Sequence, residues 1–299
     1  MRCRRCTQPA IIEIRRHRAS FCTDCFLHHC REQVRRAIDK HRMIAPDERV
    51  LVAISGGKDS LALWDILLDL DYEVDGVYLG LGIDDYSKES QGFAERYADS
   101  RGAKLHVVDI PTEHGFAIPD AARATKRVPC SACGLSKRHL LNRAAIDGGY
   151  DVLATGHNLD DEAAVLFGNV LQWHVDYLAR QRPTLPAAEG FARRVKPLIR
   201  MGERETAAYC VVKRIDYIVE ECPMAAGNKH LRYKEVLNQI EERTPGAKAT
   251  FYLQFLNEML PHLDNVAEEE RAQVGTCSRC GAPSSQEICA FCKLVEKVG

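Results

Sequence analysis

Ser55-Gly56-Gly57-Lys58-Asp59-Ser60 follows an unbroken apolar run, Val50-Leu51-Val52-Ala53-Ile54, and opens an apolar-periodic segment from Leu61 to Leu70. The order reads as a buried strand, a glycine turn and a helix N-terminus, which aims backbone N–H groups and a positive dipole end at phosphate. Glycines let the backbone approach a pyrophosphate without a Cβ in the way, and Ser55 and Ser60 can add hydroxyl donors. The spacing is not the G-x-x-x-x-G-K-[ST] that wraps a β/γ-phosphate pair. The alternative is an ordinary Gly-rich turn between a strand and a helix.

Outward from this loop, strands are predicted at Val74–Leu81, Lys104–Ile110 and Asp151–Thr155, and helices at 60–70, 88–101, 134–147 and 159–172. Alternating units of this kind argue for a parallel sheet covered by helices on both faces. An Arg-rich helix is expected over Cys30–Met43, a loop over 111–129, and an irregular stretch over 180–200 closing with a strand at Arg194–Leu198. Helices at 203–214, 230–242 and 247–261 lead to an acidic linker at 264–270. Ligands bind such sheets beyond the carboxyl ends of the strands. That edge gathers the 55–60 loop, the end of the 74–81 strand and the turn Gly156-His157-Asn158.

The chain has 299 residues, 45% hydrophobic and 28% charged, with a net charge of −1. No apolar run approaches the roughly 20 residues needed to span a bilayer. The N-terminus lacks a secretion-signal core, so a cytoplasmic location is expected, where clustered thiols bind metals more often than they form disulfides. Residues 1–49 carry twelve Lys/Arg against six Asp/Glu. Arg123, Lys126, Arg127, Lys137, Arg138 and Arg143 fall in a stretch, 121–146, with no acidic residue. Local positive surface of this kind suits a phosphate backbone, although solvated helix faces give the same counts.

Thirteen cysteines sort by spacing. Cys3-x-x-Cys6 with Cys22-x-x-Cys25, and Cys277-x-x-Cys280 with Cys289-x-x-Cys292, are two four-thiolate sets of the kind that close around structural Zn²⁺. Neither segment could bury a useful core alone, so the metal supplies folding free energy. Cys30 and Cys210 fall on apolar helix faces and read as core. Cys130-x-x-Cys133 and the distant Cys222 leave three readings open: three ligands of a [4Fe–4S] cluster with one iron free, a redox pair with Cys222 as bystander, or a persulfide carrier.

Taken together, Ser55–Ser60, Pro129-Cys130-Ser131-Ala132-Cys133-Gly134, Thr155-Gly156-His157-Asn158-Leu159-Asp160-Asp161, Glu221-Cys222-Pro223 and the paired C-x-x-C modules resemble the TtuA-type tRNA 2-thiouridine synthetases. These are PP-loop enzymes related to the TtcA and Ncs-type tRNA thiolases, and the likeness covers essentially the whole chain. The resemblance implies an α/β PP-loop domain (adenine nucleotide alpha hydrolase-like) at 30–263, flanked by zinc ribbons at 1–29 and 264–299. It implies that Cys130, Cys133 and Cys222 hold a [4Fe–4S] cluster.

The chemistry it implies is adenylation of the uracil O2 by ATP with release of pyrophosphate, then displacement of AMP by sulfur. Ser55, Gly56, Gly57, Lys58, Asp59 and Ser60 would hold the phosphates, and Ala53, Leu79 and Gly156 would frame the nucleotide. Asp161 would hold Mg²⁺ or orient the base, with Asp160 and Glu162 as helix-terminal charges. Lys137 would stabilise charge on the uracil oxygen, donate a proton, or contact phosphate. His157 would touch phosphate or cap the helix. The implied partners are tRNA, gripped by zinc modules bearing Arg2, Arg4, Arg5, Arg15, Arg16 and Arg18, and a ubiquitin-like sulfur carrier with a C-terminal thiocarboxylate (TtuB-like). A homodimer is implied, and no membrane. Position 54 of the T loop is the expected target, with wobble position 34 and a non-thiolating PP-loop enzyme as alternatives.

Overall fold

The structure, a computed structural model, describes residues 1–225, 229–266 and 274–298. Strands β1 (Ile12–Ile14) and β2 (Ala19–Phe21) pair antiparallel and run into α1 (Thr23–His41). The chain continues through β3 (Arg49–Ile54), α2 (Lys58–Asp69), β4 (Glu73–Gly80), α3 (Asp84–Arg101) and β5 (Leu105–Asp109). Next come α4 (Ile110–His114), α5 (Ile118–Thr125), α6 (Pro129–Asp147), β6 (Val152–Thr155), α7 (Leu159–Gln172) and α8 (Val175–Arg180). The rest comprises β7 (Thr184–Leu185), β8 (Arg193–Val195), α9 (Glu203–Lys213), α10 (Lys229–Arg243), α11 (Ala247–Gln254), β9 (Gly275–Thr276), β10 (Pro283–Ser284) and α12 (Ala290–Val298).

The central sheet runs β5-β4-β3-β6-β8-β7, parallel except for the edge strand β7. Successive side chains of a strand point to opposite faces, and both faces are covered here. Val50, Val52 and Ile54 enter one core with α1, α2, α9 and the β1–β2 hairpin, while Leu51, Val77, Leu79 and Leu153 enter a second with α5, α6 and α12. The N-terminal cysteine module therefore packs on one face and the C-terminal module on the other. Phe291 anchors the latter, stacked on His139 of α6 with ring centroids 4.1 Å apart. The chain steps outward from β3 through β4 to β5, then returns to place β6 on the other side of β3. The β3/β6 boundary is the topological switch point at which ligands bind.

Several local expectations are corrected. Residues 111–129 are not a loop: Pro111, Pro119 and Pro129 each stand in the first turn of a helix, where proline costs no hydrogen bond. Helices α1 and α3 begin at Thr23 and Asp84, earlier than expected. The strand in the irregular stretch spans Arg193–Val195 rather than Arg194–Leu198, and Pro197 opens a short 3-10 turn. The 247–261 helix is α-helical only to Gln254, after which the backbone widens into a π-turn. Most of the acidic stretch expected to link the C-terminal module, 267–270, lies outside the described residues.

Candidate active site

The loop between β3 and α2 is shaped by its glycines. Gly56 has φ +75°, and a Cβ there would lie 2.2 Å from the Ser90 carbonyl oxygen. Gly57 caps α2, which leaves the first N–H groups of that helix free for an anion. The Ser60 hydroxyl accepts from Ser55 N–H (3.1 Å) and donates to the Gly57 carbonyl (3.0 Å), and it lies 3.2 Å from the Ser55 hydroxyl. Both serines thus brace the loop internally rather than standing free as donors. Gly156, at the end of β6, packs directly on it, because a Cβ there would fall 2.8 Å from Ser60 N. Ala53 sits between Val77 and Thr155, and Leu79 lies opposite Val108, all near the carboxyl ends of their strands.

Five charged side chains from four helices tie this loop to the turn after β6. Lys58 Nζ lies 3.1 Å from Asp59 and 2.8 Å from Glu203 at the start of α9. Lys234 of α10 bridges Glu203 (3.2 Å) and Asp161 (2.6 Å). Burial pulls the Lys58 pKa down, but Asp59 and Glu203 outweigh it and hold it above the ordinary range. Burial pushes Glu203 up, yet Lys58 and Lys234 bring it below the usual carboxylate range. Asp59 moves the other way: burial raises it despite Lys58, and its Oδ1 accepts from Thr206 and from Asn158 Nδ2 (3.0 Å).

The 157–162 turn is more fully paired than its sequence suggests, and one expectation, His157 as the helix cap, is corrected. Asp161 closes a capping box, accepting from Asn158 N–H at 3.0 Å, so both of its oxygens are engaged. Asp160 and Glu162 stand in the first turn of α7, as expected, and are also paired across the fold. Asp160 is buried against Lys248, and Glu162 pairs with Lys196 (2.8 Å) and Tyr252 (3.1 Å). The helix cap is Asn158; His157 is exposed and hydrogen-bonds Thr155 at 2.8 Å.

Because α6 begins at Pro129, Cys130 and Cys133 stand three residues apart on its first turn and share a face. The segment carrying Cys222 lies against that turn, with Cys130 Sγ 3.4 Å from the Met224 carbonyl. Burial pushes the Cys130 thiol up, Cys222 adds to the push, and Lys137 opposes it. The Cys133 thiol is raised by burial, with Lys137 opposing and Cys222 and Cys130 adding. Three thiols and one ammonium therefore form a single electrostatic group. Tyr86 closes it from α3, its pKa pushed up to about 12 by burial and by the charges of Cys222, Tyr78 and Cys133.

The terminal modules differ in geometry from this trio. A tetrahedral ion with arms of about 2.3 Å needs sulfurs about 3.8 Å apart. Cys6 lies 3.5 Å from Cys22 and 3.6 Å from Cys25; Cys277–Cys292 and Cys280–Cys289 are 3.9 and 3.7 Å apart. Each set of four converges within 4.8 Å, and all thirteen cysteines are free of disulfides. These donors fit Zn²⁺. Cys130, Cys133 and Cys222 do not converge so closely, which suits a cubane with its metals spread over several corners better than one ion. Cys30 and Cys210 are fully buried core residues.

Residues 2–27 match the N-terminal LIM domain of 2-thiouridine synthetase TtuA, and residues 27–234 match the PP-loop domain. A tRNA-5-methyluridine(54) 2-sulfurtransferase of Thermus thermophilus is 48% identical over 298 residues, covering 100% of this chain and 92% of its own. The chain belongs to the TtuA-type PP-loop tRNA 2-thiouridine synthetases. A relative of the same name from Pyrococcus horikoshii is 41% identical, covering 98% of this chain and 93% of its own. Among solved structures, the U34-tRNA thiolase NcsA of Methanococcus maripaludis, described with its [4Fe-4S] cluster, superimposes with a TM-score of 0.83 at 25% identity. That match covers 100% of this chain and 97% of NcsA.

Within this synthetase architecture, Glu203, Thr206, Lys234 and Tyr86 are the site residues that sequence reading missed. No motif marks them: each is an isolated polar residue whose relevance comes from a contact across the fold. Among the described residues, no helix is long and apolar enough to cross a membrane.

Proposed function

We propose that the chain replaces O2 of a tRNA uridine with sulfur after adenylating that oxygen, and that the uridine is the 5-methyluridine at position 54. The observation that supports this reading is the 3.0 Å hydrogen bond from Ile218 N–H to the Gly56 carbonyl, which ties the chain leading to Cys222 to the glycine loop. O2 attacks the α-phosphate, pyrophosphate leaves, and a sulfur nucleophile at C2 then expels AMP. Adenylation is needed because the oxygen is otherwise a poor leaving group.

The N–H groups of 56–60 and Lys58, kept charged by Asp59 and Glu203, bind the phosphates. Ala53, Leu79 and Gly156 frame adenosine. Lys137, without a hydrogen-bonded or ionic partner among the described residues, is free to neutralise the uracil oxygen as charge develops there. Asp161 orients Lys234. Mg²⁺ accompanying ATP would neutralise phosphate charge, and Asp161, paired with Lys234 and Asn158 N–H, would have to exchange a partner to ligate it. Cys130, Cys133 and Cys222 would hold a [4Fe–4S] cluster, which supplies a coordination site for the incoming sulfur.

The two four-cysteine modules hold structural zinc, with divisions at 29 and 264 separating them from the catalytic domain. Sulfur delivery by a ubiquitin-like thiocarboxylate carrier and a homodimeric assembly complete the proposal. Likeness to NcsA favours wobble position 34 as the second reading. Nucleoside mass spectrometry after anaerobic reaction of tRNA with ATP and sulfide separates the two. Thiolated 5-methyluridine is expected; a thiolated wobble uridine supports the second reading, and no thionucleoside refutes both. Cys222→Ser should abolish thiolation while leaving ATP binding intact.

A further inference from the structure

A cavity of about 900 Å³ lies between α6, the β8 region and the C-terminal zinc module, on the other side of α6 from the thiols. Lys137 and Arg138 are consecutive, so their side chains diverge by about 100° around the helix. Lys137 joins the cysteine group, and Arg138 lines the cavity with Arg194. Arg138 folds back over Gly134, with Nη1 3.2 Å from the place a Cβ would occupy there. Among the described residues, neither the Arg138 nor the Arg194 guanidinium makes a hydrogen bond or ion pair.

Arg138 is open to solvent through the cavity, and Arg194 is half-buried beneath it. Two guanidiniums lining one cavity, with no carboxylate paired to either among the described residues, leave donors free for an external anion. Arg127, Lys293 and Lys297 carry the positive charge to the rim. Glu296, the one carboxylate in the lining, is committed to Arg279 at 2.9 Å. Asn142 fixes the opposite wall, donating to the Gly190 carbonyl (2.8 Å) and accepting from Ala192 N–H (3.0 Å).

We propose that this cavity is a phosphodiester-binding site that grips the backbone of the substrate tRNA between α6 and the C-terminal zinc module. The inference rests on the reading that tRNA is the substrate. Five cations along one trough outnumber what a single terminal carboxylate can neutralise, whereas phosphates repeat along an RNA strand. Arginine pairs also match the forked geometry of phosphate.

The test is fluorescence-anisotropy binding of an unmodified tRNA transcript to the full, zinc-loaded chain across a salt series. Arg138→Ala and Arg194→Ala should each weaken binding on the order of tenfold and flatten the slope of log K against log salt by about one. Arg194→Lys should recover the slope but not the full affinity. Lys297→Glu, on the exposed rim where folding is not at stake, should weaken binding too. Wild-type affinity and slope in all of these variants would overturn the site while leaving the proposed function standing. So would normal tRNA binding and normal sulfide-dependent thiolation combined with a loss confined to carrier-dependent thiolation, which would assign the cavity to the carrier's tail. A wild-type chain with no affinity for tRNA would remove both the inference and the functional reading.

Discussion

Replacing Gly56 by alanine should damage the fold, and replacing the adjacent Gly57 should damage only nucleotide binding. At Gly56 the new Cβ would stand 2.2 Å from the Ser90 carbonyl oxygen, 2.9 Å from its carbon and 3.0 Å from its Cα. All three are backbone atoms of α3, so no side chain can swing aside. The positive φ costs an L-residue about 1–2 kcal/mol, and overpacking against rigid backbone typically adds about 1–3 kcal/mol. A domain of this size loses about 2–4 °C of melting temperature per kcal/mol, so Gly56→Ala should melt on the order of 10 °C below wild type. Gly57 has φ −88°, and the nearest atom to its added Cβ is the Ser55 hydroxyl at 3.4 Å, an ordinary contact. Its replacement weakens a helix cap by about 1 kcal/mol at most and shifts the melting temperature by a few degrees. ATP titration by calorimetry should nevertheless show at least tenfold weaker binding for Gly57→Ala, because the methyl group intrudes where phosphate approaches the loop. A Gly56→Ala protein that melts with wild type would refute the loop geometry. Wild-type ATP affinity in Gly57→Ala would refute phosphate contact at that residue.

Asp65 is buried on α2 and bonds Tyr97 (2.9 Å), Tyr209 (2.6 Å), Arg101 (2.6 Å) and Lys213 (3.0 Å). Asp69 keeps both cations partly paired, so Asp65→Ala should cost about 3 kcal/mol, the lower end for a broken buried ion pair; denaturant unfolding would measure it. Metal analysis should find two zinc ions per chain, and a strong chelator should remove both and expose the core faces against which each module packs, detectable as increased dye binding. Burial holds His41 and His139 at about 4, below the value of about 6.5 for an unfolded histidine. Between these values the unfolded chain binds protons that the folded chain does not, so stability should fall as pH drops from 6.5 to 4. His139→Phe, which keeps the stack on Phe291, should flatten that dependence in melting curves; an unchanged slope would count against the burial of this ring.

The features legible in the sequence are those whose chemistry is local. A strand, a glycine turn and a helix start are written in consecutive residues, and so is a C-x-x-C knuckle. Both the phosphate loop and the cysteine sets stand where their spacing placed them. The loop expected over 111–129 is wrong for a physical reason: Pro111, Pro119 and Pro129 each stand in the first turn of a helix, where the missing N–H has no intrahelical partner to lose. The result matters for chemistry, since it puts Cys130 and Cys133 on a rigid helical turn rather than in a loop. Charge pairing was not legible at all. Asp160, Asp161 and Glu162 look alike in sequence, yet they pair with Lys248, Lys234 and Lys196, at distances set by helices that meet only in the folded chain.

The separation of the three cysteines along the chain, 130 and 133 against 222, has a mechanical consequence. Ile218 N–H donates to the Gly56 carbonyl at 3.0 Å, four residues before Cys222. The strand of chain that delivers the third thiol is therefore hydrogen-bonded to the phosphate loop itself, and a short 3-10 turn at Pro223–Ala225 then lays it against α6. Gly56 serves both ends of this connection: its carbonyl accepts from Ile218 N–H, and its missing Cβ lets α3 close in at Ser90, the helix whose Tyr86 packs against the same core as Cys133 and Cys222. A loop that shifts to accommodate nucleotide must carry the Cys222 segment with it or break that bond. In the proposed reaction O2 of the uracil must reach the nucleotide and its C2 must then reach the sulfur, so a backbone contact shared by the two groups would keep them at a fixed spacing. The position of the third cysteine, far away in sequence, is what makes that contact possible.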